Sequence, residues 1–102
     1  MTLKFIETFF KGILFLSPIL IFLIMIISTL GLFIGKKEGW HKIDAIYYAF
    51  ITASTVGYGD FRPTKRVSKL MAILIAITGL IFTGIIVAIA LHAVEFSINH
   101  EE

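Results

Sequence analysis

The chain has 102 residues, 58% of them hydrophobic and only 16% charged, with a mean hydropathy of +0.96 and a net charge of +2. So little charge cannot clothe a small soluble domain, and composition points to a membrane protein. The absence of cysteine excludes disulfides, thiolate metal sites and palmitoylation.

In chain order, residues 1–11 set Leu3, Phe5, Ile6, Phe9 and Phe10 among polar residues at three-to-four spacing. This pattern reads as an amphipathic interfacial segment, with simple extension of the next helix as the competing reading. Residues 12–34 hold no Asp, Glu, Lys or Arg and predict a first membrane-spanning helix. The run is longer than the roughly 7–15 residues of a secretory signal core, and no A-x-A-like site follows it. Pro18, near its start, removes one backbone donor and is expected to bend the helix. GKKEGWHK, residues 35–42, reads as a polar turn closing that helix.

Residues 43–54, IDAIYYAFITAS, predict a helix of about 15 Å with Asp44 as N-cap, only half of a bilayer. A half-span followed by glycine-bearing backbone is tolerated at membrane depth only inside protein or beside a water-filled cavity, which points to a re-entrant loop. Residues 61–69 return through a polar loop kept extended by Pro63, and residues 70–94, again without acidic or basic residues, predict the second span. Two spans put both termini on one side. No internal repeat or second domain is visible, so residues 1–102 form one domain.

The stretch TVGYGD, residues 55–60, joins the half-span to the return loop. If Gly57 and Gly59 adopt backbone angles open to glycine and alternate with Val56 and Tyr58, successive carbonyls face one way and the larger side chains the other. The Thr55 hydroxyl adds an oxygen at the inner end of this row. Such a row is costly in a membrane unless a cation stands before it, and oxygen-only ligands favour hard cations. One loop cannot surround an ion, so several copies must meet around an axis.

STVGYGD after a half-span and between two spans resembles the pore domain of potassium channels, over nearly the whole chain. The resemblance implies an all-α membrane protein with two transmembrane helices, a re-entrant pore helix and a selectivity filter, assembled as a homotetramer. Residues 12–34 become the outer helix, 43–54 the pore helix and 70–94 the inner helix. Thr55, Val56, Gly57, Tyr58 and Gly59 become the filter, with potassium, the permeant ion, held through Thr55 to Tyr58. The pore helix would turn its partly negative C-terminal end toward a central cavity. Asp60 is implied at the outer mouth as part of a carboxylate ring, bonded to an aromatic that alignment places at Tyr48, with Ser54 supporting the filter from below. Arg62 stands where some relatives carry the aromatic of an external tetraethylammonium site. Gly79 falls at the family's hinge glycine, where close helix packing competes with bending; Gly84 is read as a packing residue. Thr83 would add a hydroxyl to the cavity wall, unless it bonds its own helix backbone.

The sequence also departs from the pattern. Ile51 replaces the glutamate that some relatives place behind the filter, so no carboxyl pair with Asp60 can form there. No span carries the spaced arginines of a voltage sensor. Seven basic residues (Lys36, Lys37, Lys42, Arg62, Lys65, Arg66 and Lys69) lie between the spans, against Lys4 and Lys11 on the N-terminal side. Charge counting alone would make the loop cytoplasmic, whereas the resemblance puts both termini there, in a multi-pass protein of the cell membrane. EFSINHEE at the end resembles the linker to cytoplasmic regulatory domains of calcium-gated relatives; a C-terminal domain beyond it is one expectation, a complete minimal channel the other. His92, His100, Glu101 and Glu102 could hold a metal or sense pH, against the plainer reading of a solvated helix end. Lipid is the other expected partner, and neither nucleic acid nor an organic cofactor is expected. The expected activity is passive potassium conduction, without enzymatic chemistry; a weakly selective cation channel and a non-conducting membrane subunit are the competing functions.

Overall fold

A computed structural model describes residues 2–99 and resolves them into three helices: α1 (Thr2–Glu38), α2 (Lys42–Ala53) and α3 (Arg66–Asn99). At about 1.5 Å per residue, α1 accounts for the 55 Å long axis of the molecule. Its helical hydrogen bonding starts at Thr2 and passes through the amphipathic opening, so residues 2–11 extend the first helix and form no separate element. Pro18 does not interrupt it. The carbonyl that Pro18 cannot serve belongs to Leu14, and the Ser17 hydroxyl donates to that oxygen at 2.8 Å. A side chain thus satisfies the group that proline would orphan in a bilayer.

The helix ends later than residues 35–42 suggest. Gly35 is helical and buried, and the reversal falls on Gly39, at φ 77°. From beyond it the Trp40 N–H donates to the Gly35 carbonyl at 2.8 Å, the six-to-one bond of a glycine C-cap. Lys36 and Lys37 occupy the last turn, where the helix dipole favours cations. At the start of α2 the N-cap is His41, whose side chain makes no capping bond; Asp44 lies instead within the first turn, where its charge still complements the dipole.

The third helix begins four residues before the apolar run, because a distant side chain organises its start. Glu38 Oε1 accepts from the Thr64 N–H at 3.0 Å and the Thr64 hydroxyl at 2.8 Å, while Oε2 accepts from the Lys65 N–H at 3.1 Å. Lys65 Nζ returns a bond to the Lys37 carbonyl at 2.7 Å. The ends of α1 and α3 are therefore clamped together.

Small residues place α2 in the fork between the two long helices. A Cβ added to Gly31 would lie 2.5 Å from the Ala49 Cβ, and one added to Gly35 would strike the Ala45 Cβ. On the opposite side Gly79 of α3 abuts the backbone of Ala53. Around these notches Ile27, Ile34, Tyr48, Ala49, Ala53 and Ile75 form the core. Elsewhere both long helices leave large apolar side chains such as Phe15, Phe22, Met25 and Leu80 exposed. Both are long and apolar enough to cross a membrane, and such surfaces suit lipid.

Candidate functional site

The last turn of α2 is tied into the loop that follows it. The Ser54 N–H donates to the Phe50 carbonyl at 2.9 Å, the Thr55 N–H to Thr52 at 3.1 Å and the Gly57 N–H to Ile51 at 3.2 Å. Ser54 Oγ donates to the same Ile51 carbonyl at 3.3 Å. The loop thus leaves the helix end in a fixed direction.

Its backbone alternates. Thr55, Gly57 and Gly59 have φ of 66°, 55° and 81°, whereas Val56 and Tyr58 between them do not enter the positive region. Glycine was expected to provide this alternation at two positions, and the structure extends it to Thr55. A β-branched residue there is a true outlier, costing about 1–3 kcal/mol, a strain that clusters at functional sites. Within one chain nothing covers the stretch: Val56 is 50% and Tyr58 70% exposed. The groups available to a ligand are backbone carbonyls and the Thr55 hydroxyl, all neutral oxygens. Among the described residues no cluster of His, Cys, Asp or Glu could hold a metal; His100, Glu101 and Glu102 lie outside the described residues.

At the outer end, Asp60 Oδ1 accepts the Phe61 N–H at 3.2 Å. The aromatic beside this carboxylate is Tyr47, whose hydroxyl interacts with it. The assignment to Tyr48 is therefore off by one residue. Adjacent helix positions point about 100° apart, so Tyr48 turns inward, buried and edge-on to Trp40 with 5.1 Å between ring centroids. Arg62 is exposed and forms no ion pair, with Asp60 or any other carboxylate, among the described residues. Ile51 lies half-buried behind the loop and offers no polar group to Asp60.

Gly79, Thr83 and Ser54 border one cleft of about 180 Å³ beneath the loop, together with Phe50, Ala53 and Phe82. Gly79 is fixed there by its contact with Ala53. Gly84 meets nothing within 4 Å, so no packing inside the chain explains it. Thr83 makes no hydrogen bond to its own helix among the described residues, unlike Thr78, which bonds the Leu74 carbonyl at 2.8 Å. His92 lies at the other end of the molecule against Phe96, far from the loop.

Two features escaped the sequence reading. Trp40 packs edge-on against both Tyr48 and Phe61, and Glu38 clamps a loop 26 residues away. Neither has a local spacing that would reveal it; only the Gly39–Trp40 turn gave a hint.

Compared with known sequences, residues 19–96 match the model of a family described as Ion channel. The chain belongs to this ion channel family. Its members' business is permeation, not catalysis. Similar proteins include Two-pore potassium channel 4 of Arabidopsis thaliana, 33% identical over 67 residues, which are 63% of this chain and 24% of that protein. Potassium channel protein 1 of Methanocaldococcus jannaschii is 39% identical over 60 residues, 59% of this chain and 18% of that protein. Human Potassium channel subfamily K member 5 is 62% identical over a stretch of 24 residues, 24% of this chain and 5% of that protein. The matched segment thus spans less than a quarter of the length of each of these relatives. No solved structure matches significantly. Family membership and the two apolar helices make this a membrane protein with the helical fold of a two-span channel pore.

Proposed function

We propose that four copies of this chain assemble around a fourfold axis as a potassium-selective pore that conducts passively through the membrane. The observation that carries this reading is the alternation of positive φ at Thr55, Gly57 and Gly59 along an uncovered loop. Alternating backbone handedness turns successive carbonyl oxygens to one side, and an unpaired carbonyl row is stable in a bilayer only against a cation and neighbouring protein. Fourfold repetition of Thr55, Val56, Gly57 and Tyr58 gives stacked rings of neutral oxygen that replace the hydration shell of potassium. Similarity to proteins named as potassium channels supports the choice of ion.

The remaining residues take roles that follow from this placement. The C-terminal end of α2 directs partial negative charge toward the cavity. Asp60, oriented by Phe61 and Tyr47, forms a ring that concentrates cations at the outer mouth. The loop side faces outward and both termini lie in the cytoplasm, because the re-entrant half-span has a fixed polarity. Neither of these two spans carries spaced arginines, so neither acts as a voltage sensor.

Liposomes reconstituted with the chain test this under opposed potassium and sodium gradients. Potassium flux with a reversal potential near the potassium equilibrium value is expected. Equal permeation of both ions would leave a weakly selective cation channel, and absence of any flux a non-conducting membrane subunit.

A further inference from the structure

The outer end of the ion-binding loop is held by an aromatic contact that comes from outside the pore helix. Gly39, at φ 77°, reverses the chain after α1, and the Trp40 N–H to Gly35 carbonyl bond fixes where Trp40 emerges. Its indole then meets two rings at once: Tyr48 of α2 at 5.1 Å and 62°, and Phe61 at 5.2 Å and 67°. Phe61 directly follows Asp60 and donates its N–H to that carboxylate. Tyr47 closes the circuit, edge-on to Phe61 at 6.2 Å and in contact with Asp60 through its hydroxyl. Behind the loop the Ile51 side chain supplies no polar group to Asp60, and its carbonyl ties only the inner end, at Gly57.

We propose that Trp40 is a positioning residue for ion selection: through Phe61 it holds the outer end of residues 55–60 from the turn after α1. Edge-to-face aromatic pairs of this geometry are attractive and directional. A shift of Phe61 moves Asp60 and, through Gly59, the last carbonyls of the row. The loop has few other restraints, since its main-chain bonds back to α2 end at Gly57. Trp40 therefore takes the place of a polar tether from behind. This inference rests on the proposed pore function, and its test separates the two.

Trp40 is the sole tryptophan, so its emission reports the brace directly. In the assembled protein in liposomes, replacing sodium by potassium is expected to shift native Trp40 emission, and Phe61→Leu to abolish that response. Trp40→Leu is expected to raise by about tenfold the potassium concentration that protects flux after incubation in sodium, the equivalent of losing two edge-on contacts. Trp40→Phe is expected to restore most of it, with helix content and thermal unfolding of all variants close to native. Native emission identical in the two ions would overturn the brace, as would unaltered potassium dependence in Trp40→Leu. If the native protein carries no flux, the pore reading fails, and the emission titration still decides the brace: a potassium-specific shift upholds it. If Trp40→Leu does not assemble, native emission and Phe61→Leu give the same decision.

Discussion

Gly79→Ala sets helix packing against helix bending at one atom. A Cβ at residue 79 would lie 2.5 Å from the Ala53 Cα and 2.7 Å from its carbonyl carbon, and closer still to its oxygen. Ordinary carbon contacts fall at about 3.5–4.0 Å, so α3 must retreat from α2 by roughly 1 Å. The obstacle is main chain, which has no rotamer with which to yield. Overpacking of this kind costs about 1–3 kcal/mol, while removing a mid-helix glycine returns about 0.5–1 kcal/mol. The net expectation is a loss of roughly 1–2 kcal/mol. Because Ala53 lies two residues before Thr55, the displacement should also reach residues 55–60 and, on the proposed pore function, lower selectivity. Gly84→Ala is the matched control: nothing lies within 4 Å, so the chain itself should gain only the helix-propensity term. Thermal unfolding followed by circular dichroism, with potassium and sodium flux measured on the same preparations, compares the two. The packing reasoning is refuted if Gly79→Ala matches Gly84→Ala in stability, or opens less often while unfolding at the native temperature.

Three further outcomes are expected. Tyr58→Asp should bring the bi-ionic reversal potential toward the non-selective value, since the side chain that stands opposite the carbonyl row becomes small and charged; an unchanged potential counts against this. In the proposed fourfold assembly Arg62→Tyr should strengthen external tetraethylammonium block, as four aromatic faces would replace four guanidinium groups at the mouth, and equal dose-response midpoints would remove Arg62 from that position. For Glu38, partial burial pushes the carboxyl upward, but the Lys65 N–H, the Thr64 hydroxyl and N–H and, most weakly, the Ser68 hydroxyl outweigh it and bring it down to about 2. A carboxylate lowered on folding adds stability that is complete above its unfolded value of about 4.3 and is lost as pH falls toward 2. The native protein should therefore lose thermal stability through that window, and Glu38→Gln should start lower and lose less; parallel curves would show that the clamp carries no linkage.

Which features were legible depended on whether their cause was local. The two spans follow from uncharged runs, and the half-span from twelve residues with glycines after them, because length and hydropathy act position by position. Alternation at Gly57 and Gly59 could be foreseen because only glycine enters that region freely, whereas Thr55 joins it against its own preference and no propensity announces that. Helix ends were misjudged where a remote group decides them: α3 starts at Arg66 because Glu38, at the end of α1, accepts the N–H groups of Thr64 and Lys65. The same limit explains Ser68, which is fully buried without a partner of good hydrogen-bond geometry, beside a carboxylate thirty positions earlier in the sequence. Choosing Tyr48 over Tyr47 is a subtler error, since both are aromatic and adjacent, and only the direction of the helix face separates them.

That distinction bears on how residues 55–60 are held between the helices. Tyr48 faces the core and meets Trp40, Tyr47 faces Asp60, and Phe61 touches both Trp40 and Tyr47. The apolar and polar sides of one short helix are thereby joined around the segment that follows the loop. The inner end is fixed differently, by main-chain bonds from Thr55 and Gly57 to the last turn of α2 and by Gly79 against Ala53. Between these anchors Val56 and Tyr58 stay half or more exposed and the chain makes no main-chain bond back to α2 beyond Gly57, so in the proposed assembly an ion in front and other copies beside them would keep their carbonyls in line. Weakening the outer anchor should therefore change how strongly the loop depends on potassium, and weakening the inner one should change whether the three helices hold together at all.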